Sequence, residues 1–424
     1  MSERRRPKSV LRASIRKPIL SFSRRTIDAD FGYLCARKKI DFKMLKIRNY
    51  WICALICFAC LSVGRAQERR LVDKKAYAFF QRAQEAFRGG EPEKALGFLA
   101  KAKACDPEFS GAYLLEADIC HKAGDRPGEM EAIRAALAID SLRDRPYYYY
   151  VLAGDAFDRM AYAEAEEFYA AYLRLDKRRR AATEALRRLE DCRFAREALA
   201  GGEKRPAEVC YEAELPVYWP ALDVRGHTFL FTEQEGGIER LCMLRDGVRH
   251  PIGFPLQGNC GAPSLTADGR TMYFSMDAGG RNGFDIYVAY RLTDTTWSAP
   301  VNLGAPINTE SWDAQPAVSA DGTRLYFAST REGGRGGSDI WYSRLLRREP
   351  DGRQIWSQPR CLYFNTEHDE MAPFLYYDNR TLFFASDGYP GMGRKDIYKA
   401  DLAEASVPRN IGITVNTSRE EFGF

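Results

Sequence analysis

The chain has little of what enzyme active sites are commonly built from. Histidine occurs only four times in 424 residues, and no two histidines stand at the spacing of metal ligands. The sequence contains neither a Gly-x-Ser-x-Gly nucleophile elbow nor a His-Glu-x-x-His zinc motif. These absences exclude the commonest hydrolase signatures. We therefore expect no catalytic, cofactor-binding or metal-binding residues, that is, a protein that is not an enzyme.

Two loops are weaker candidates for ligand sites. Gly333 to Gly337 is a glycine run of the kind that cradles phosphate, but no Lys-Ser or Lys-Thr pair follows it. Comparable loops elsewhere in the sequence are equally glycine-rich, so a structural turn is the favoured interpretation. Asp277, Asn282 and Asp285 offer oxygen ligands for calcium, although their spacing differs from that of the helical calcium loop. Calcium binding stays open as the weaker alternative.

The positive net charge of +5 is confined to the first residues. Residues 1–66 hold 16 of the 63 basic and 4 of the 58 acidic residues, so residues 67–424 carry 47 basic and 54 acidic ones, a net charge of −7. Nucleic-acid binding needs clustered positive charge. We expect no nucleic-acid partner.

The N-terminal region has the build of a secretory leader. Residues 44–66 begin with a charged segment, continue with an apolar run over 51–63 and end in Gly64-Arg65-Ala66. Thirteen apolar residues are too few to span a bilayer, which needs about 20. We predict a signal peptide over 44–66, export to the periplasm, and a basic tail over 1–43 that is absent from the mature protein. A cytoplasmic tail ahead of an anchor, and a lipoprotein modified at Cys60, are the alternatives.

Residues 74–200 show helical periodicity with a 34-residue repeat. Alanine recurs at positions typical of helix packing, and Leu99 is repeated as Ile133. A 34-residue period of paired helices resembles the tetratricopeptide repeat. The resemblance implies an α-solenoid with a concave groove for a partner protein. Tyr113, Tyr147 and Tyr150 are candidate partner-binding residues there, with helix core as the alternative for the tyrosines at 147–150.

A glycine-rich break marks the end of the helices. Residues 201–217 begin with Gly-Gly and contain two prolines, which predicts a linker and two independently folding modules. Seven cysteines follow the leader, an odd number that leaves at least one unpaired in a monomer. We interpret them as small core side chains.

A second repeat, with a longer period, fills residues 218–424. Pro263, Pro316 and Pro373 each begin a unit containing an Asp-Gly or Asp-Asn turn, an aromatic strand and an Asp-Ile-Tyr or Asp-Ile-Trp strand. Short strands repeated at 53 and 57 residues predict the blades of a propeller. The aspartates and glycines of these units are predicted to be structural turn residues: Asp268, Gly269, Asp285, Asp321, Gly322, Asp339, Asp378 and Asp396.

The number of repeats predicts an incomplete propeller. A weaker copy from Pro220 makes four blades, and residues 416–424 align with the beginning of a fifth. On this basis we expect an uncovered apolar face on the fourth blade, a propeller truncated at its C-terminal end and marginal or self-associating behaviour. The chain is then part of a longer protein.

The motif Pro-x-x-Ser-x-Asp-Gly-x-x-Leu-Tyr-Phe-x-Ser, followed by Asp-Ile-Trp, resembles the TolB-type, WD40-like propeller repeat. Together with the leader and the helical repeats, it resembles exported OmpA-family envelope proteins, including the peptidoglycan-anchoring component of type IX secretion. The resemblance implies an outer-membrane-associated protein. The family's C-terminal OmpA-like domain is absent from this sequence, so peptidoglycan is a partner only if such a domain exists elsewhere.

The sequence thus predicts a multidomain α and β protein. A tetratricopeptide α-solenoid precedes an incomplete TolB-type β-propeller of about four blades plus a stub. We expect a non-catalytic scaffold that binds other envelope proteins through the solenoid groove and the propeller face. The alternative is the substrate-gating propeller of a longer hydrolase or peptidase.

Overall fold

The structure, a computed structural model, describes residues 71–176, 181–202, 213–223, 228–254, 258–277, 279 and 283–423. The predicted basic tail, the signal peptide and Cys60 lie outside these residues, as does most of the predicted linker. From Asp73 onward the described residues form one compact unit. No helix among them is both long and apolar enough to span a bilayer.

Seven helices precede the first strand in the described part of the chain. They are α1 (Lys74–Arg88), α2 (Pro92–Cys105), α3 (Ser110–Ala123), α4 (Arg126–Ile139), α5 (Tyr147–Asp158), α6 (Tyr162–Leu175) and α7 (Ala182–Gly201). Asp73 caps α1 by accepting from the amides of Lys75 and Ala76, and Gly124 ends α3 with a left-handed φ of 76°. Consecutive helices pack as hairpins.

Alanine lets these helices approach closely. Ala95 and Ala102 on α2, and Ala136 on α4, are fully buried. Leu99 and Ile133, the residues predicted to fill the space between paired helices, are also fully buried. Burying an aliphatic side chain of this size contributes about 1.5–3 kcal/mol. Both residues are therefore core positions of their helices.

The described residues after the helices form four antiparallel sheets, each a blade of a β-propeller. Blade 1 contains β1 (Val217–Leu222), β2 (Thr228–Glu235), β3 (Ile238–Arg245) and β4 (Val248–Pro251). Blade 2 contains β5 (Cys260–Leu265), β6 (Thr271–Met276), β7 (Asp285–Tyr290) and β8 (Val301–Asn302). Blade 3 contains β9 (Asp313–Val318), β10 (Arg324–Ser329), β11 (Asp339–Arg348), β12 (Gln354–Trp356) and β13 (Arg360–Cys361). Blade 4 contains β14 (Glu370–Leu375), β15 (Thr381–Ser386), β16 (Asp396–Asp401) and β17 (Arg409–Asn410).

The apolar residues of the second and third strands pack between neighbouring blades. Phe274 and Met272 of blade 2 lie in one core with Leu241 of blade 1, and Tyr326 and Phe384 lie in the core between blades 3 and 4. Tyr326 is 4% exposed, and the other four side chains are fully buried. Short strands rich in aromatic residues thus stack blade on blade, as the repeat predicted.

Residues of blade 1 and of the C-terminal segment cover part of the blade 4 face that was expected to be uncovered. Ala372, Ala385 and Ile397 on that face are buried, and Trp219 of blade 1 packs against them. The ring of Phe422 lies against that of Trp219 in a tilted arrangement, with centroids 5.7 Å apart. Small side chains on blade 4 admit the indole of Trp219, while Phe383 and Met371 in the same cluster stay partly exposed, so the covering is partial.

A side-chain amide joins each of three blades to the segment that follows it. Asn416 donates from Nδ2 to the carbonyl of Ile397 at 2.9 Å and accepts from the amide of Ile397 at 2.8 Å. Asn308 and Asn365 bind Ile286 and Ile340 in the same way. We call these three residues the asparagine clamp.

The segment after Asn416 repeats the geometry of the earlier blades. Glu421 accepts from the amide and hydroxyl of Thr417, as Glu370 does from Thr366. Gly423 has a left-handed φ of 83°, and it occupies the place of Ala372 in that alignment. The predicted alignment of this segment with the beginning of a blade is confirmed through residue 423.

The helices contact the propeller at blade 4. Met392, in the loop between β15 and β16, belongs to a core formed by α5, α6 and α7, and Ser418 donates to the carbonyl of Asp158 at 2.7 Å. We call this contact the helix–propeller joint. Whether the two parts also fold independently stays a prediction.

The described cysteines form no disulfide. Cys192, Cys242 and Cys260 are buried, as the interpretation of core thiols requires. Cys105 is exposed, however, because it lies at the end of α2. For this residue the interpretation is wrong.

Candidate functional site

The innermost strands of the four blades surround a funnel along the propeller axis. Residues of β1, β5, β9 and β14 line it, and it encloses about 710 Å³ of empty space that includes its opening to solvent. One proline from each strand belongs to the lining: Pro220, Pro263, Pro316 and Pro373. The prolines that revealed the repeat in the sequence therefore meet around the channel.

A bulge in each innermost strand shapes the funnel wall. The residue before each proline has a φ of 50° to 54°, although none of the four is glycine: Trp219, Ala262, Gln315 and Ala372. Left-handed backbone is costly for such residues and persists where the surroundings enforce it. The amide of Ala262 donates to Thr232 Oγ1 at 3.0 Å, and that of Ala372 to Gln315 Oε1 at 2.8 Å. Bonds between neighbouring blades thus hold the bulges.

The Asp-Gly and Asp-Asn turns stand at one end of the funnel. The amides of Gly269, Gly322 and Asn379 each donate to the carbonyl three residues earlier, and all three residues have left-handed φ. Burial alone would raise the pKa of Asp321, but hydrogen bonds from Ser319 and Thr323 outweigh it and lower that pKa. The structure places Asp268 and Asp378 in equivalent turns, where they accept backbone amides. These hydrogen bonds shape the turns at this end of the funnel.

The Asp-Ile-Tyr and Asp-Ile-Trp aspartates lie at the opposite end. Asp396 accepts from the amides of Met392 and Gly393 and from Asn410, and Asp339 accepts from the amides of Arg335 and Gly336. These carboxylates order the glycine-rich loops, as their position before a strand predicted. Asp285 accepts from Asn302 Nδ2 at 2.8 Å.

The rim of the funnel carries exposed apolar and aromatic side chains where blade 4 meets blade 1. Leu222, Tyr376 and Tyr377 are each about half exposed, at 50%, 49% and 49%. Tyr377 Oη donates to the carbonyl of Leu222 at 3.1 Å, and burial raises the Tyr377 pKa. We call these three residues the aromatic rim. The aromatic rim lies at the end of blade 4 that is away from the helices. The rim tyrosines follow the end of β14, whereas the helix–propeller joint contacts the end of β15, and the two strands are antiparallel.

The three tyrosines predicted to bind a partner have different surroundings. Tyr113 Oη donates to the carbonyl of Pro107, with Lys103 Nζ 4.9 Å from its ring. Tyr147 is 60% exposed, whereas Tyr150 packs against Tyr169 and other aromatic rings of the helical core. Tyr147 is therefore available at the surface for a partner. Tyr150 is surrounded as expected for a residue of the helix core, which was the alternative interpretation.

Among the described residues, no group of three or more His, Cys, Asp or Glu side chains could hold a metal ion.

The sequence did not predict the aromatic rim, the function of the asparagine clamp or the helix–propeller joint. The repeated asparagines carried a usable signal, since they recur in register with the blades. Nothing in the sequence singled out the rim tyrosines.

Comparison with known proteins adds little beyond the fold. No family model matches the chain, and no curated protein matches its sequence. TolB from Acinetobacter baumannii is 17% identical, with a TM-score of 0.35 over 48% of this chain and 45% of that one. A putative TolB from Agrobacterium tumefaciens is 15% identical, with a TM-score of 0.33 over 47% and 68%. The type IV pilus biogenesis factor PilW is 22% identical, with a TM-score of 0.23 over 30% and 57%.

This chain therefore spans less than half of the Acinetobacter structure, and likenesses this low say nothing about what it binds. The class of protein is defined by its own architecture. In the described residues, seven helices are followed by a four-bladed β-propeller with an aromatic rim.

Proposed function

We propose that the chain is a non-catalytic, protein-binding scaffold of the bacterial cell envelope. The observation that carries the proposal is the aromatic rim, a half-exposed apolar cluster at the end of the funnel away from the helices. Exposed apolar clusters that border a concavity commonly mark interaction sites. Tyrosine suits such a site because it offers a large amphipathic surface with little side-chain entropy to lose.

Two features support a place in the envelope. The leader over 44–66 supports export to the periplasm, and the packing of helices as hairpins supports a tetratricopeptide solenoid. An OmpA-family protein acting in an outer-membrane or periplasmic assembly, such as type IX secretion, combines both features. Other envelope proteins are then the partners, through the solenoid groove and the propeller rim, and peptidoglycan binding belongs to an OmpA-like domain.

The rim can supply a useful part of a binding energy. Covering about 200 Å² of apolar surface would contribute about 5 kcal/mol, since burial is worth about 25 cal/mol per Å². Only part of this survives the loss of translational and rotational freedom on association. The rim alone therefore fits a transient contact, and a tight complex needs the helical surface as well.

Site-specific photo-crosslinking in the native bacterium tests the proposal. A photoreactive residue at Tyr376 is expected to give one discrete crosslinked envelope protein, and the pair Tyr376→Ser and Tyr377→Ser to weaken binding of that protein at least tenfold. Val301, an exposed residue on the edge strand of blade 2, is the matched crosslinking control. Equal crosslinking from both positions, or cleavage of peptides by the purified chain, would contradict the scaffold. Cleavage would favour the hydrolase alternative.

A further inference from the structure

The helix–propeller joint is built around the main chain of one loop. Tyr162 on α6 donates from Oη to the carbonyl of Met392 at 2.9 Å, and both residues are buried. The Met392 side chain lies in the same core as Phe157 and Cys192. One apolar anchor and one buried hydrogen bond thus fix the loop to the helices.

Two arginines of α7 also bind main-chain carbonyls of this loop. Arg187 Nη1 donates to the carbonyl of Asp387 at 2.7 Å, and Arg188 Nη1 donates to the carbonyl of Gly393 at 2.9 Å. Both guanidinium groups also bind Glu184. Their positive charge is therefore shared with a carboxylate of their own helix.

Asp191 is the carboxyl group at the centre of the joint. It is 2% exposed and its Oδ1 accepts from the amide of Gly391 at 3.1 Å. Its nearest cation, Arg188 Nη1, lies 3.5 Å from Oδ2, which is a long contact for an ion pair. Asp396, a second buried carboxyl, binds the next two amides of the loop. The loop is thus held between two carboxyl groups that water barely reaches.

The surroundings of Asp191 disfavour its negative charge. Burial raises its pKa to about 6, and the charge of Asp396 adds to the shift. The pKa of Asp396 is also raised to about 6, first by burial and then by Glu421. The titratable and charged groups that face this pair come from α6, α7, β16 and the C-terminal segment: Tyr162, Arg187, Arg188, Cys192, Tyr398 and Glu421.

We propose that the helix–propeller joint is a protonation-dependent latch, which tightens when Asp191 takes up a proton. In the closed joint Asp191 is removed from water by the loop of blade 4. When the joint opens, Asp191 on the surface of α7 regains water and its ordinary acidity. Closing of the joint is therefore coupled to proton uptake by Asp191 at every pH at which Asp191 is ionised in the open joint and protonated in the closed one.

The pH window follows from the two states. Below pH 3.8, the ordinary pKa of the group, both states are protonated and the latch is at its tightest. Between pH 3.8 and about 6 the closing equilibrium falls about tenfold for each unit of rising pH. Above about pH 6 both states are ionised and the equilibrium levels off. Acidification from pH 7 to pH 5 is expected to tighten the latch about tenfold.

Hydrogen exchange of the full chain, resolved at single amides by NMR, tests the latch. The amide of Gly391 reports joint opening because it donates to Asp191, and the amide of Ile397 reports blade 4 because it donates to Asn416. Protection factors remove the intrinsic pH dependence of exchange. We expect the Gly391 protection factor to be about tenfold higher at pH 5 than at pH 7, with that of Ile397 unchanged.

Three variants separate the latch from mere packing. Asp191→Asn keeps the acceptor for Gly391 but cannot titrate, so only the carboxyl of Asp396 is left to respond and the tenfold change in Gly391 protection should be lost. Glu190→Gln, which removes an exposed carboxylate from the neighbouring position, should behave as the wild type. Tyr162→Phe, which removes the bond to Met392, should lower the protection by the same factor at both pH values.

Several outcomes of these measurements would contradict the latch. Wild-type protection at Gly391 that is equal at both pH values, or greater at pH 7, would overturn the proposal. Persistence of the tenfold change in Asp191→Asn would do so too. If Gly391 and Ile397 lose protection together in Tyr162→Phe, the joint opens only with global unfolding and is no latch.

Discussion

Asn410 donates a hydrogen bond from Nδ2 to Oδ2 of Asp396 at 2.6 Å. Asn302 and Asp285 make the same bond in blade 2, at 2.8 Å. In blade 3 the strand pairing places Cys361 where the asparagine would be, opposite Trp341.

Replacing this cysteine with the residue found in the other blades should stabilise the protein. Asp339 is almost fully buried, and its Oδ1 has no hydrogen-bond partner in the described structure. An unpaired buried oxygen costs about 1–3 kcal/mol. We expect Cys361→Asn to raise the free energy of unfolding by about 1 kcal/mol in urea titrations. Cys361→Ala, which removes the thiol without supplying an amide, is the control; a gain of the same size there would refute the explanation.

Breaking the asparagine clamp should destabilise the propeller. Asn365→Ala leaves the amide of Ile340 without its partner and removes one of the two donors to its carbonyl, which still accepts from the amide of Leu362 at 3.1 Å. One buried amide left unpaired costs about 1–3 kcal/mol. Urea unfolding should show this loss, and Asn365→Asp should be intermediate because it can accept but not donate. Glu367→Ala, an exposed change two residues away, should be silent; an equal loss there would rule out the clamp as the cause.

Two glycine substitutions should have opposite effects. A Cβ at Gly336 would overlap the carbonyl of His368, whereas a Cβ at Gly97 would meet open space. Gly336→Ala should therefore destabilise the protein by about 1–3 kcal/mol through overpacking. Gly97→Ala, in the interior of α2, should stabilise it by about 0.5–1 kcal/mol. Thermal unfolding of both variants checks the pair, and a stable Gly336→Ala protein would mean that the loop can move away from blade 4.

Glu233 should contribute stability that disappears in acid. The hydrogen-bonded ion pair with Arg249 Nε, at 3.0 Å, outweighs burial and lowers the Glu233 pKa. Because the folded-state pKa is depressed, the contribution is present above the ordinary value of 4.5 and is lost as pH falls through the folded-state value. We expect Glu233→Gln to lose about 1–2 kcal/mol at pH 7 and less below pH 4. Glu235→Gln, exposed on the same strand, should show no such trend in parallel urea titrations.

The mature protein should begin at or near Gln67. The leader predicts cleavage after Ala66, since a small residue is required before the cleaved bond. N-terminal sequencing of protein from the native bacterium checks this, and Ala66→Arg should block processing. A mature product that retains Met1 would contradict the predicted export signal.

The sequence by itself determined the repeating elements. A 34-residue period predicted paired helices, and prolines spaced by 53 and 57 residues, with their Asp-Gly turns, predicted the blades. Such patterns are readable because they reflect contacts between residues close in the chain. Asp321 orders its own turn, and Asp339 orders the loop immediately before it.

Only the tertiary structure decided how the ends of these repeats are used. Trp219 covers part of a face of blade 4 that lies about 150 residues further along the chain, where the repeats alone predicted an uncovered surface. Asp191 binds the amide of Gly391 across 200 residues, and that distant loop helps to bury it. The aromatic rim likewise needs Leu222 and Tyr377 to meet. Contacts of this kind leave no periodic trace, because each is made once between surfaces that the fold alone brings together.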